Sequence, residues 1–155
     1  MTSGIAVFDA SPLIVFWQVG HFDLLRGLFH HIAVPAAVAQ EAAPSIGRLP
    51  DWIQVQRVPS RPPLPRKLDP GEREAIALAM ALSADFVALD DLPGRRVAAG
   101  LGFTVIGSFG LLVRAKRRGL IADVRPTMDR MVASGLYVTE PLYREILEAV
   151  GESDV

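Results

Sequence analysis

Gly4-Ile5-Ala6-Val7-Phe8-Asp9-Ala10-Ser11-Pro12-Leu13-Ile14 changes character twice over a short distance. Ile5 to Phe8 is wholly apolar and too brief for a helix, which predicts a strand buried on both faces. It stops on an aspartate. Ser11 and Pro12 then supply a helix start: a hydroxyl to cap, and a proline whose missing N–H costs nothing at the first helical position. Asp9 therefore falls on the turn between the C-terminal end of a buried strand and a helix. In open parallel sheets ligands gather there. Alone, Asp9 is equally well read as an acceptor for its own turn, so the question is whether other carboxylates reach the same place.

The pattern repeats along the chain. Ile32-Ala33-Val34 is a second buried strand stopped by Pro35, which opens a small-residue helix, Ala36 to Ala43, ended by Pro44; Glu41 is its single acid. Phe86-Val87-Ala88-Leu89 is another such strand, ending on Asp90-Asp91, and Thr104 to Gly107 is the last. Trp52 to Val58 alternates apolar and polar, the period of an edge strand with one wet face. The four prolines from Pro59 to Pro65 mark an extended loop. Strands alternating with helices imply an α/β fold with a mostly parallel sheet covered on both faces.

Asp69-Pro70-Gly71-Glu72 forms a capping box, giving Glu72 a structural duty at the start of the next helix. Beyond Glu74 that helix is apolar on every side. Glu74 thus enters a buried helix, where a carboxylate needs a cation, a metal or N–H donors as partner. Pro93-Gly94 turns the chain into a short helix, Arg95 to Ala99. The helix through Leu111 and Leu112 turns Arg114, Lys116, Arg117 and Arg118 outward. Two closing helices, Pro126 to Ala133 and Glu140 to Val150, make up a tail (121–155) that closes the domain or forms a subunit contact.

The 155 residues fit one domain, able to bury roughly 70% of its unfolded surface. At 50% hydrophobic and 21% charged the chain is a folded type, not a disordered one. It has no cysteine, which excludes disulfides, thiolate zinc sites and cysteine nucleophiles and suits a reducing cytoplasm. No apolar run is long enough to cross a bilayer, and no basic segment precedes the first one, so neither a membrane span nor a signal peptide is expected. A net charge of −1 means that any phosphate binding relies on local patches. Arg95, Arg96, Arg114, Lys116, Arg117 and Arg118 are the candidates for phosphate contact.

If the strands ending at Asp9 and at Asp90-Asp91 are neighbours, their carboxylates meet at one rim, with Glu41 and Glu74 reaching in from flanking helices. Two carboxylates ~4 Å apart repel by about 4 kcal/mol at an effective dielectric near 20. Such a cluster needs protons or a cation. Oxygen-only ligands favour Mg²⁺ or Mn²⁺ over zinc, and such ions activate water for in-line phosphoryl displacement. The expected chemistry is metal-dependent phosphodiester hydrolysis. A phospho-receiver would need its acid pair after the first strand, and a haloacid-type phosphatase an aspartate where Ser11 stands.

Asp9 to Ile14, the glutamate that follows Val34-Pro35, Gly71-Glu72-Arg73-Glu74-Ala75-Ile76-Ala77-Leu78-Ala79 and Asp90-Asp91-Leu92-Pro93-Gly94-Arg95-Arg96 together resemble the motifs of PIN-domain nucleases. More narrowly, they resemble the prokaryotic branch related to VapC toxins. The likeness runs from about Ile5 to Gly119 in order and spacing. It implies a three-layer α/β/α fold, Mg²⁺ or Mn²⁺, endoribonuclease activity, frequent homodimers and, for true toxins, an antitoxin partner. By resemblance the catalytic, metal-holding acids are Asp9, Glu41, Glu74 (commonly an aspartate in the toxins) and Asp91. Asp90 stands as helper and Ser11 as the hydroxyl supporting the first acid. The alternative is a PIN-like module that binds RNA or protein without cutting.

Overall fold

Parallel strands arranged β3-β2-β1-β4-β5 form the centre of a computed structural model that describes residues 4–153. The strands are β1 (Ile5–Phe8), β2 (His31–Pro35), β3 (Ile53–Gln56), β4 (Phe86–Ala88) and β5 (Thr104–Ile106). Around them lie α1 (Ala10–Gln18), a 3₁₀ segment (Phe22–Gly27), α2 (Ala36–Ile46), α3 (Pro70–Leu82), α4 (Leu92–Gly100), α5 (Ser108–Arg117), α6 (Arg125–Ala133) and α7 (Glu140–Ala149). This is the α/β architecture with a parallel sheet that the strand–helix alternation implies. Ile53–Gln56 takes the expected edge position.

Side chains alternate along a strand, and the two faces of the sheet bury different cores. Ala6, Phe8, Ile32, Val34 and Ala88 face α1, α5, α6 and α7, meeting Leu13, Phe16, Leu111, Leu112, Met128 and Met131. Val7, Ala33, Val87 and Leu89 face the other way, against Ala75, Ile76, Leu78 and Ala79 of α3 and Ala98 of α4. Helix α2 packs against both α1 and α3. No helix among the described residues is long and apolar enough to cross a membrane.

From β1 the chain lays β2 and β3 on one side, then crosses to place β4 and β5 on the other. The order therefore reverses between β1 and β4, the kind of place where open parallel sheets bind their ligands. Register fixes what stands there. Phe8 pairs with Ala88, and the Asp9 N–H donates to the Ala88 carbonyl at 2.9 Å. Asp9 and Asp90-Asp91 are thereby neighbours on one rim.

Three local boundaries differ from the sequence reading. Helix α1 starts at Ala10, with Asp9 as the flanking N-terminal residue, so Ser11 lies inside the first turn and caps nothing. Pro44 does not end α2, which runs on to Ile46; a proline near the C-terminal end forfeits little of the helical ladder. Gly47 ends it instead, at φ 79, its N–H donating to the Ala43 carbonyl at 2.8 Å. Helix α4 begins at Leu92, since Pro93 in its first turn needs no N–H partner.

Candidate active site

The rim between β1 and β4 carries six carboxylates from four places in the chain: Asp9, Glu41, Asp69, Glu72, Asp90 and Asp91. Asp9 is 6% exposed, and its Oδ1 finds no hydrogen-bond donor among the described residues. Burial pushes its carboxyl up to about 7; the Ala10 N–H pulls it down, and Asp69, Glu41 and Asp90 push it up further. Asp9 follows Val7 in the alternation and turns toward the α3 side of the sheet.

What it meets there is Gly71. A Cβ at this position would stand 2.8 Å from Glu41 Oε2, 3.2 Å from Asp9 Oδ1 and 3.5 Å from Asp69 Oδ1. Three carboxylate oxygens thus close over one backbone position that has no side chain to keep them apart. Glu41 is exposed, and its carboxyl is raised first by desolvation and then by Asp69.

Glu72 is 2% exposed. Its Oε1 accepts the Asp69 N–H at 3.4 Å, while the Glu72 N–H donates to Asp69 Oδ1 at 2.8 Å, completing the expected capping box. Its Oε2 is buried without a donor, and a Cβ on Gly94 would overlap it. Desolvation is the main cause that raises the Glu72 carboxyl, with Asp69 and then Asp91 adding to it. Asp69 thereby links the Asp9–Glu41 group to the Glu72–Asp91 group.

Glu74, the residue expected to complete the acidic set, is placed elsewhere. Two positions on a helix are about 200° apart, and α3 turns Glu72 inward with Ala75, Ile76 and Ala79. Glu74 shares the opposite stripe with Pro70, Arg73 and Ala77, lining a hollow beneath the proline loop with Val58, Arg61, Pro62 and Leu64. Arg73 pins that loop by donating to the Leu64 and Pro65 carbonyls at 3.2 and 2.8 Å.

Asp90 is held by three donors: the Ser108 N–H at 2.7 Å, the Ser108 hydroxyl at 2.7 Å and the Ser11 hydroxyl at 3.1 Å. Ser11 supports the acid pair of β4, then, rather than Asp9. Asp91 is exposed at the start of α4 with no side-chain cap. Of the basic candidates, Arg95 lies beside the site, donating to the Leu89 carbonyl at 3.1 Å, and Arg96 is exposed on α4. The α5 group is at the far rim, because α5 starts beside Asp90 and runs about 15 Å away from it. There Arg114 stacks on Phe29 and Phe86 and donates to the Leu28 carbonyl, and Lys116 pairs with Glu152 at 2.8 Å.

Sequence reading missed Asp69 as a member of the cluster. It gave the residue a capping role, which it has, and the sign of a second role lay in its place just ahead of a helix that begins at the strand rim. The donor set is all oxygen and includes two bare, buried oxygens, which fits a hard divalent cation. Asp9, Glu72, Glu41, Asp69 and Asp91 are the residues that could hold one. Among the described residues no group of three or more acids or histidines is arranged to hold a metal ion as it stands, so these side chains would have to draw together around one.

No curated protein matches the chain. Among solved structures, a PilT N-terminus domain protein from the hyperthermophilic archaeon Sulfolobus solfataricus P2 shares its fold. The TM-score is 0.57 at 22% identity, over 72% of this chain and 92% of that one. A family model described as DUF3368, a PIN domain, matches residues 5–152. The parallel sheet is that of a PIN domain, and the chain belongs to that family, whose members are generally nucleases.

Proposed function

We propose that this protein is a metal-dependent endoribonuclease that hydrolyses RNA phosphodiester bonds at the acidic rim. The observation that carries this reading is the pair of buried, unpartnered carboxylate oxygens, Asp9 Oδ1 and Glu72 Oε2, flanked by further acids. A buried polar atom without a partner costs on the order of 1–3 kcal/mol. A fold retains such a cost where a ligand repays it.

A bound Mg²⁺ or Mn²⁺ supplies a nucleophilic water and neutralises charge on the phosphate. Asp9 and Glu72 would hold it, with Glu41, Asp69 and Asp91 around them. Asp90, fixed by Ser11 and Ser108, keeps the end of β4 and the start of α5 in place and adds negative field at Asp9. The Glu41 carboxyl, raised and exposed, is positioned to take a proton from an attacking water. Arg95, fixed beside the rim, offers its remaining guanidinium donors to a phosphate.

Purified protein should cut single-stranded RNA when Mn²⁺ is added and stop with chelator or with Asp9→Asn. The absence of a ready cage among the described residues favours a second reading, an RNA- or protein-binding module that does not cut. That reading gains if RNA binds while Mn²⁺ leaves it whole. A toxin role, with an antitoxin covering the rim, and a homodimer are parts of the same proposal. Growth arrest on expression, relieved by the product of a neighbouring reading frame, tests the first; light scattering tests the second.

A further inference from the structure

Resting on the nuclease reading, we infer that Tyr137 is a stacking platform for one nucleobase of the RNA, set in a hollow that opens onto the acidic rim. Tyr137 is 83% exposed, more than any other large hydrophobic among the described residues. It is not a loose residue. Its neighbours Leu136 and Val138 pack against the core, and the Leu136 N–H donates to the Met131 carbonyl at 3.0 Å. The loop between α6 and α7 is therefore anchored on both sides of a ring it leaves in water. An aromatic side chain exposed from a fixed backbone forgoes the burial that would repay its area.

Tyr137 lines a hollow of about 400 Å³ together with Phe109, Leu142 and Ile146, and Asp90 and Arg95 line the same hollow. Leu142 is 43% exposed, so the walls are apolar and open. The hollow thus brings together a guanidinium beside the proposed cutting site, able to meet phosphate, and an aromatic side chain able to meet a base. The volume suits a single base and sugar and is too small for a helix face. Each base presents such a face whatever its identity, so stacking here positions the strand without reading sequence.

The test uses single-stranded RNA carrying 5-iodouridine at each position in turn, bound in Ca²⁺ and irradiated, so that the modified base crosslinks to an aromatic ring it stacks on. The expected result is a crosslinked peptide containing Tyr137, at one position of the strand. Tyr137→Ala should lose the crosslink and weaken binding roughly five- to a hundred-fold, while Tyr137→Phe keeps both. RNA that binds with unchanged affinity to Tyr137→Ala and crosslinks only elsewhere overturns the inference and leaves the nuclease reading standing. A change of oligomeric state in Tyr137→Ala with RNA affinity unchanged also overturns it, assigning the ring to a protein contact. Wild-type protein that neither binds nor cuts RNA overturns both.

Discussion

The two rims of the sheet solve opposite problems with the same kinds of side chain. At the N-terminal rim charges are met by partners: Asp85 accepts the Ile5 N–H at 2.9 Å, Arg114 lies 4.8 and 4.7 Å from two ring centres, and Lys116 meets Glu152. Glu152 also accepts the Val124 and Arg125 N–H groups, tying the end of the chain to the start of α6. At the C-terminal rim acids crowd acids, and two buried oxygens are left bare. The first arrangement closes a fold. The second leaves an account open to a ligand, and only one of the two rims can be altered without losing the proposed chemistry.

The sharpest break in this contrast is a matched pair on one helix. Glu72→Gln should cut the Mn²⁺-dependent cleavage rate by more than about a hundred-fold, beyond what loss of an outer partner of a metal site costs. Glu74→Gln, two residues on, should leave that rate unchanged in the same assay. Equal losses from both would mean that the rim is not the reacting site.

Next in size is the effect of pH on the metal-free protein. The Asp9 carboxyl is raised in the folded state to about 7 from 3.8, so the native protein binds this proton more tightly than the unfolded chain does. That contribution is fully present below the unfolded value and is lost as pH rises through about 7. It amounts to about 4 kcal/mol at most. Asp9→Asn should therefore raise the melting temperature at pH 8 and much less at pH 5. Added Mn²⁺ should stabilise wild type at pH 8 and leave the variant unmoved.

The opposite rim should answer in stability alone. Arg114→Ala removes two ring contacts and a hydrogen bond and should cost about 2 kcal/mol in chemical denaturation, with cleavage per folded molecule unchanged. Lys116→Ala breaks a half-buried pair but leaves Glu152 its two backbone N–H donors, and should cost about 1 kcal/mol. A large loss of RNA affinity in either variant would place the RNA path along α5 after all.

Much of this contrast was legible in the chain, because it rests on local rules. Short apolar runs that stop on an acid identify the buried strands and place Asp9 and Asp90-Asp91 on one rim, and Asp69 to Glu72 declares the start of α3. The choice between Glu72 and Glu74 was also within reach: Glu72, Ala75, Ile76 and Ala79 follow helical spacing, and a helix apolar further along hid that stripe. The partner of Ser11 was not legible. It depends on β4 lying next to β1, a pairing across 80 residues that no local pattern encodes. Asp69 was masked by its own capping duty, since a residue with one sufficient explanation does not advertise a second.

Glu72 carries that lesson furthest. One of its oxygens holds the first turn of α3 together and the other is bare, so folding alone is reason enough to keep a glutamate there. A relative without the proposed activity would still be under pressure to retain it. In sorting working from retired members of this family, the informative letter is therefore the one at Asp9, whose side chain caps no helix.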